Sequence, residues 1–439
     1  MNAPLHVDMQ MAPRGVPTPR APQSIAETGL DEGFLIELLC KTVYRMGLER
    51  ASEMAAVIKL AVPIIQDVIE IAKERKLIEP LGQLGAQMTS EMRYALTQKG
   101  KVWADEALTQ SEYVGPAPIP LDLYNHQTKA QSIRDITLTE PMLQKVFAEL
   151  TLSPSLMDEL GPAVNSSSAM LLYGPPGNGK SSISHAICAA YEDHIYVPYA
   201  IQVEKQVILV YDPIVHRRVS SERDMRSTLR REVGLDPRFV PCVRPAVTTG
   251  GELTLDMLDL AYNPVSRVYE APMQMKASGG VFVVDDFGRQ RPTPQEVMNR
   301  LIVPLEAGVD YLALQTGRKF EVHFDSFVIF STNIAPRKLV DDAALRRIRY
   351  KILVDRPSRD MYIQIFALTA EKEGLQLTEE VLAFLFLELY SKEPGAELHA
   401  FHPRFIIDQT VAYCAYKDEP LAMGEDALRH AWKNLFSRA

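Results

Sequence analysis

The sequence predicts an α/β protein, a buried parallel sheet flanked by helices, with a small α+β unit before it and a helical unit after it. Three observations carry this. The apolar run Ala169-Met170-Leu171-Leu172-Tyr173 leads into a glycine-rich loop and then into Ser182-Ile183-Ser184-His185-Ala186-Ile187, which reads as a helix. Two more apolar runs, Val281-Phe282-Val283-Val284 and Phe327-Val328-Ile329-Phe330, end in polar residues, as strands buried on both faces of a parallel sheet do. Helical periodicity dominates the stretches before residue 77 and after residue 357.

The elements follow in chain order. Residues 1–28 are rich in Pro, Ala and Met and read as a disordered tail. Residues 29–110 form a compact unit. Phe34, Leu35, Leu38, Leu39 and Val43 recur at helical spacing until Gly47, a second helix covers Arg50 to Leu60, and a third runs from Val62 to Lys76. Leu77-Ile78-Glu79-Pro80, a Gly-containing turn and Arg93-Tyr94-Ala95-Leu96 follow, the last reading as a strand that enters a helix at Thr97. Three helices and a hairpin resemble a winged-helix domain, which implies DNA binding. The third helix sets Asp67, Glu70 and Glu74 against Lys73, Arg75 and Lys76, whereas a reader of DNA presents a basic face. Protein contact is therefore favoured over nucleic-acid contact. Residues 111–135, with Pro116, Pro118 and Pro120, read as a proline-stiffened linker. Tyr113-Val114-Gly115 looks like the pore-loop tripeptide of some unfoldases but precedes the glycine-rich loop, the wrong place for that role.

Residues 136–356 hold the chemistry. Gly174-Pro175-Pro176-Gly177-Asn178-Gly179-Lys180-Ser181, between a strand and a helix, has the spacing of a P-loop. Its backbone N–H groups and the opening of the helix, including Ser182, would cradle a di- or triphosphate. Lys180 would reach the β/γ-phosphates and Ser181 would hold Mg²⁺. Asp285 and Asp286 stand where the second apolar run ends, the edge at which ligands of open α/β sheets sit. Asp285 would position Mg²⁺ and Asp286 would polarise the attacking water. Asn333 ends the third run and would help orient that water. Arg346 and Arg347 follow in Asp341-Asp342-Ala343-Ala344-Leu345-Arg346-Arg347, where an arginine would stabilise charge on a neighbouring subunit's γ-phosphate.

Together these residues resemble the AAA+ ATPase family, with Walker A, Walker B, sensor 1 and arginine-finger motifs in the family's order. The resemblance implies a five-stranded parallel sheet and a C-terminal helical lid, here residues 357–439, with helices starting at the N-caps Ser358 and Thr378. It implies ATP and Mg²⁺ as cofactors, and a homo-oligomeric ring, a hexamer, because a finger acting in trans needs a neighbour. His402-Pro403-Arg404-Phe405 resembles the sensor 2 position, so Arg404 would reach the γ-phosphate from the lid. Tyr311 to Val322 reads as a hairpin just before sensor 1, similar to the pre-sensor branch of the family. There are departures. The second Walker B acid is Asp rather than Glu, which bears on hydrolysis more than on binding. The long interval from Lys180 to Asp285 implies an insertion over about 202–275, with Arg223, Arg226 and Arg230 on one helix face. No aromatic-apolar-Gly pore loop stands at the usual place, so threading is not supported.

Composition sets outer bounds. The 439 residues allow roughly two to four domains. A net charge of −9 argues against a nucleic-acid binder driven by overall charge. Cys40, Cys188, Cys242 and Cys414 form no CxxC pair and read as reduced thiols. No apolar stretch approaches about 18 residues and the N-terminus lacks a signal core, so a cytoplasmic protein without a membrane span is expected. Histidine spacing predicts no metal besides Mg²⁺. The expected function is ATP-driven remodelling of a protein partner recruited by residues 29–110. An ATP-switched DNA-binding regulator or loader is the alternative, and a binding-only ATPase is a third reading.

Overall fold

The computed structural model describes residues 15–83, 91–219 and 234–436. Its centre is a five-stranded parallel sheet in the order Tyr350–Leu353, Met170–Tyr173, Ser326–Thr332, Gly280–Val284, Ala246–Thr249. Every residue of Gly280–Val284 and Ser326–Thr332 is buried, which is why these strands read as unbroken apolar runs. One face, through Leu171, Phe282, Val328 and Phe330, packs against Val297, Met298 and Leu301 of helix Pro294–Ala307. The other, through Met170, Leu172, Val283 and Ile329, packs against Ile183 and Ile187 of helix Lys180–Ala189. The sheet's carboxyl edge therefore gathers the glycine-rich loop, the two aspartates and Asn333. This is the α/β P-loop core with a C-terminal helical unit that the AAA+ resemblance implies.

The span 202–275 is not a single insertion. Ala246–Thr249 within it is a core strand; lying at the sheet edge, it alternates exposed and buried residues and carries no long apolar run. The added material is split around that strand. With Ala200–Val203 and Ile119–Pro120 it builds a second five-stranded sheet, mixed, in the order Ala261–Asn263, Val268–Glu270, Gln206–Leu209, Ala200–Val203, Ile119–Pro120. The expected hairpin is present as Val309–Ala313 paired with Lys319–His323. Its Leu312, Phe320 and Val322 share a core with Ile201, Ile208, Phe239 and Tyr269 of this second lobe. Arg223, Arg226 and Arg230 lie outside the described residues.

Residues 111–135 differ from the linker expected of them. Ile119–Pro120 is a sheet strand, Leu121–Ala130 is a helix, and Tyr113, Ala117, Ile119 and Tyr124 are buried. The prolines hold the chain extended with apolar residues between them, which suits an edge strand as well as a free spacer. Residues 15–28 also depart from a disordered tail. Arg20 bridges to Leu235, the Pro17 carbonyl accepts from Gln127 Nε2 at 2.9 Å, and Thr28 is buried. Residues 1–14 lie outside the described residues.

The N-terminal unit has helices Glu32–Met46, Ala51–Ile58 and Val62–Glu74, the antiparallel pair Ile78–Gln83 and Met92–Leu96, and helix Gln98–Gln110. Its core of Leu35, Leu39, Met54, Ile65 and Ile69 runs on to Ala200, Val207 and Val268 of the second lobe. At the other end, Ser358 and Thr378 cap their helices as expected, accepting from Met361 N–H and Val381 N–H. Helices Arg359–Lys372, His402–Lys417 and Glu425–Leu435 close over Tyr362, Phe366, Ile406 and Trp432. Among the described residues, no helix is long and apolar enough to cross a membrane.

Candidate active site

The loop between Met170–Tyr173 and Lys180–Ala189 turns through Gly174, Gly177 and Gly179 at φ 141°, 75° and 91°, a region that side chains disfavour. A Cβ on Gly174 would lie 2.3 Å from the Val354 carbonyl oxygen. Lys180 opens the helix and is buried; its ammonium donates to Gly174 O at 3.0 Å, Pro175 O at 2.9 Å and Asn333 Oδ1 at 2.6 Å. Burial lowers its pKa, and the carboxylates of Asp285 and Asp286 oppose that shift. Ser181 Oγ donates to Asp285 Oδ2 at 2.8 Å, and Asp285 Oδ1 accepts from Asp286 N–H at 3.0 Å. A hydroxyl and a carboxylate in contact at a P-loop form the all-oxygen donor set that Mg²⁺ takes.

Asp286 is exposed and sits at φ 48°. Asp and Asn tolerate this left-handed backbone better than longer side chains do, a physical account of Asp at this position. Thr332 Oγ1 donates to Phe287 O at 2.6 Å, tying the strand that carries Asn333 to the loop that carries Asp286.

The helical unit meets the glycine-rich loop directly. Phe401 N–H donates to Gly177 O at 2.9 Å, Ala400 N–H to Asn178 Oδ1 at 3.1 Å, and His399 Nδ1 to Pro176 O at 3.1 Å. The Phe401 ring lies so close that a Cβ on Gly177 would come within 2.2 Å of it. These contacts use backbone groups and a histidine with no motif spacing, and nothing local in the sequence signals them. Arg404, at the start of helix His402–Lys417, lines the same cleft with its Nε 3.5 Å from Asp408.

The cleft measures about 910 Å³ and runs from the glycine-rich loop to Leu150 and Leu152 on one side and Ile365 and Leu368 on the other. Asn178 Nδ2 and Thr151 Oγ1 line it, buried and with no hydrogen-bond partner among the described residues. Buried polar atoms left open in this way suit a polar occupant. A folded-back lysine, three glycines at positive φ and unpartnered donors fit a nucleotide.

Arg346 and Arg347 do not line the cleft. Arg347 departs from an outward-reaching finger: its side chain is 14% exposed, its Nε is 2.7 Å from Glu306 Oε1, and its Nη1 donates to Ala343 O at 2.5 Å. The partner is remote in sequence, so the cluster alone could not separate the two arginines. Arg346 is exposed, with no side-chain hydrogen bond or ion pair among the described residues.

Gly177→Ala is expected to displace the Phe401 segment and weaken nucleotide binding about tenfold. The strained backbone alone costs about 1–2 kcal/mol, and the methyl group would invade the ring. Titration with a fluorescent nucleotide checks this, and parental affinity would contradict it.

A family described as a domain of unknown function (DUF8689) matches residues 358–434. No curated protein matches. Among solved structures, NtrX from Brucella abortus is similar at 16% identity and a TM-score of 0.40, over 66% of this chain and 56% of its own. This chain thus spans just over half the length of that protein. NtrX in complex with ADP gives 16% identity and 0.40, over 78% of this chain and 68% of its own. A RuvB mutant from Thermotoga maritima gives 12% identity and 0.36, over 65% of this chain and 70% of its own. None of these likenesses bears on which reaction the cleft performs.

Proposed function

We propose that this chain is a Mg²⁺-dependent ATP hydrolase of the AAA+ type that acts in a homo-oligomeric ring, a hexamer, in the cytoplasm. The observation that carries the reading is the meeting, in one cleft, of Lys180, the Ser181–Asp285 pair, Asp286 and Asn333 under a helical unit bonded to the same loop. Lys180, released from its loop carbonyls, neutralises charge on the β- and γ-phosphates. Ser181 and Asp285 would hold Mg²⁺, which when bound draws charge from the phosphate oxygens. Asp286, the exposed carboxylate at the cleft, orients and deprotonates water. Asn333 holds the other side of that water, and Arg404 approaches from the lid.

Residues 29–110, with a winged-helix-like element order, take the role of partner binding. Four of their ten lysines and arginines pair with carboxylates of the same unit: Arg50 with Glu53, Arg75 with Glu32, Lys73 with Glu70 at 2.8 Å and Arg93 with Glu49 at 3.1 Å. Tyr44 and Met46, at one helix end, are 45% and 52% exposed. Cations partly offset by carboxylates, together with exposed apolar side chains, favour a protein partner over phosphate backbones.

The test is ATP turnover per subunit with Mg²⁺ over a series of protein concentrations, beside Arg346→Ala and Arg347→Ala. Turnover should rise with concentration. Arg346→Ala should lower it by about 10³-fold, whereas Arg347→Ala should act through stability by leaving Glu306 unpaired. Turnover that ignores concentration would refute a site shared between subunits. Bound nucleotide with no turnover would refute the hydrolase.

A further inference from the structure

We infer that Gln290 is a positioning residue for the hydrolytic step, its side-chain amide fixing the loop that aims Asp286 at the cleft. The inference rests on the hydrolase reading above. The Asp286 side chain makes no hydrogen bond or ion pair among the described residues. Its backbone therefore sets the direction in which the side chain leaves the loop, with no side-chain bond to correct it, and that backbone is in the left-handed region at φ 48°. Something must hold the turn there.

Gln290 supplies the hold from within the same loop. Its Nε2 lies 2.9 Å from Asp285 O, 3.3 Å from Asp286 O and 3.2 Å from Gly250 O, donating to these carbonyls. Its Oε1 accepts from Gly288 N–H at 2.8 Å. One amide thus binds both aspartates through their main chain, closes the turn at Gly288, and anchors the assembly to Gly250, just past the core strand Ala246–Thr249. The other restraints are Asp285 N–H on Thr249 O at 2.8 Å, Arg289 N–H on Asp286 O at 2.9 Å, Asp285 Oδ1 on Asp286 N–H, and the bonds from Phe287 to Ser331 and Thr332, and Gln290 is the side chain that joins several of these main-chain groups at once. Gln290 does not itself line the cleft, so it acts through Asp286.

The chemistry is particular to glutamine. Three carbonyls facing one atom call for an N–H₂ group, whose two hydrogens are shared among them, and the facing Gly288 N–H calls for an oxygen beside it. Glutamate has the same shape but would turn an oxygen toward the three carbonyls. Methionine fills similar space and can do neither. In both cases the main chain of residues 285–288 loses its common anchor, while Lys180 and the glycine-rich loop keep theirs. The deficit should fall on the chemical step, not on nucleotide capture.

The experiment uses the full chain as parent, Gln290→Met and Gln290→Glu, with steady-state ATP turnover, fluorescent-ADP affinity and thermal melting read for each. The expected result is a fall in kcat of about 10²-fold for Gln290→Glu and somewhat less for Gln290→Met, with ADP affinity within about twofold of the parent, the signature of misplacement at the reacting centre. Parental kcat in Gln290→Met would overturn the inference. So would losses of kcat, affinity and melting temperature in step, which would mark a merely structural residue. A parent that binds ADP and never turns over ATP fails before any variant is read, and takes down the hydrolase reading together with this one.

Discussion

Lys180→Ala is expected to leave a folded protein whose ATP turnover falls by at least about 10³-fold, the scale of removing a preorganised donor at developing charge. The side chain is the loop's own cation, and of its three acceptors Asn333 Oδ1 belongs to a residue lining the cleft, while Gly174 O and Pro175 O belong to the glycine-rich loop. Alanine keeps the helical backbone at this position, so the loop and the helix behind it should survive. Asn333 then loses the partner that sets its amide. The checks are turnover, fluorescent-nucleotide titration and far-UV circular dichroism on one preparation. A folded variant with near-parental turnover would remove the glycine-rich loop from the mechanism.

Arg238→Ala is expected to destabilise the protein by about 3–5 kcal/mol, the usual cost of breaking a buried ion pair from one side. Arg238 and Asp236 are 1% and 0% exposed, joined at 2.8 Å. The guanidinium also donates to Thr28 O at 2.9 Å and Pro118 O at 3.4 Å. Its removal strands a carboxylate in the interior and frees two carbonyls that fasten the N-terminal segments to the second lobe. Adding Asp236→Leu should recover much of the loss, because a buried apolar replacement of both partners is often close to neutral. Urea denaturation of the single and double variants measures both effects. A single-variant loss below about 1 kcal/mol would show that the site relaxes to admit water.

How far these residues could be read in advance depended on distance along the chain. Lys180, Ser181, Asp285, Asp286 and Asn333 are marked by what flanks them, an apolar run on one side and a turn on the other. Ser358 and Thr378 are marked likewise by the helices they begin. The strand Ala246–Thr249 carries no such mark, since an edge position leaves half its residues in solvent and two of them are threonine. Prolines 116, 118 and 120 suggested a spacer because extended chain is the same locally whether it pairs or not. Arg346 and Arg347 are adjacent and chemically identical, and only Glu306, across the fold, separates them. Gln290 and His399 bond to main-chain groups, and Ala400 and Phe401 act through their own, which no side-chain pattern announces.

The three bonds from His399, Ala400 and Phe401 to Pro176, Gly177 and Asn178 leave little slack between the helical unit and the loop. Linkage then runs in both directions. Whatever factor a nucleotide contributes to seating the helices, a force that unseats them must subtract from nucleotide affinity. A partner pulling on residues 359–435 would thereby promote nucleotide release without touching the cleft.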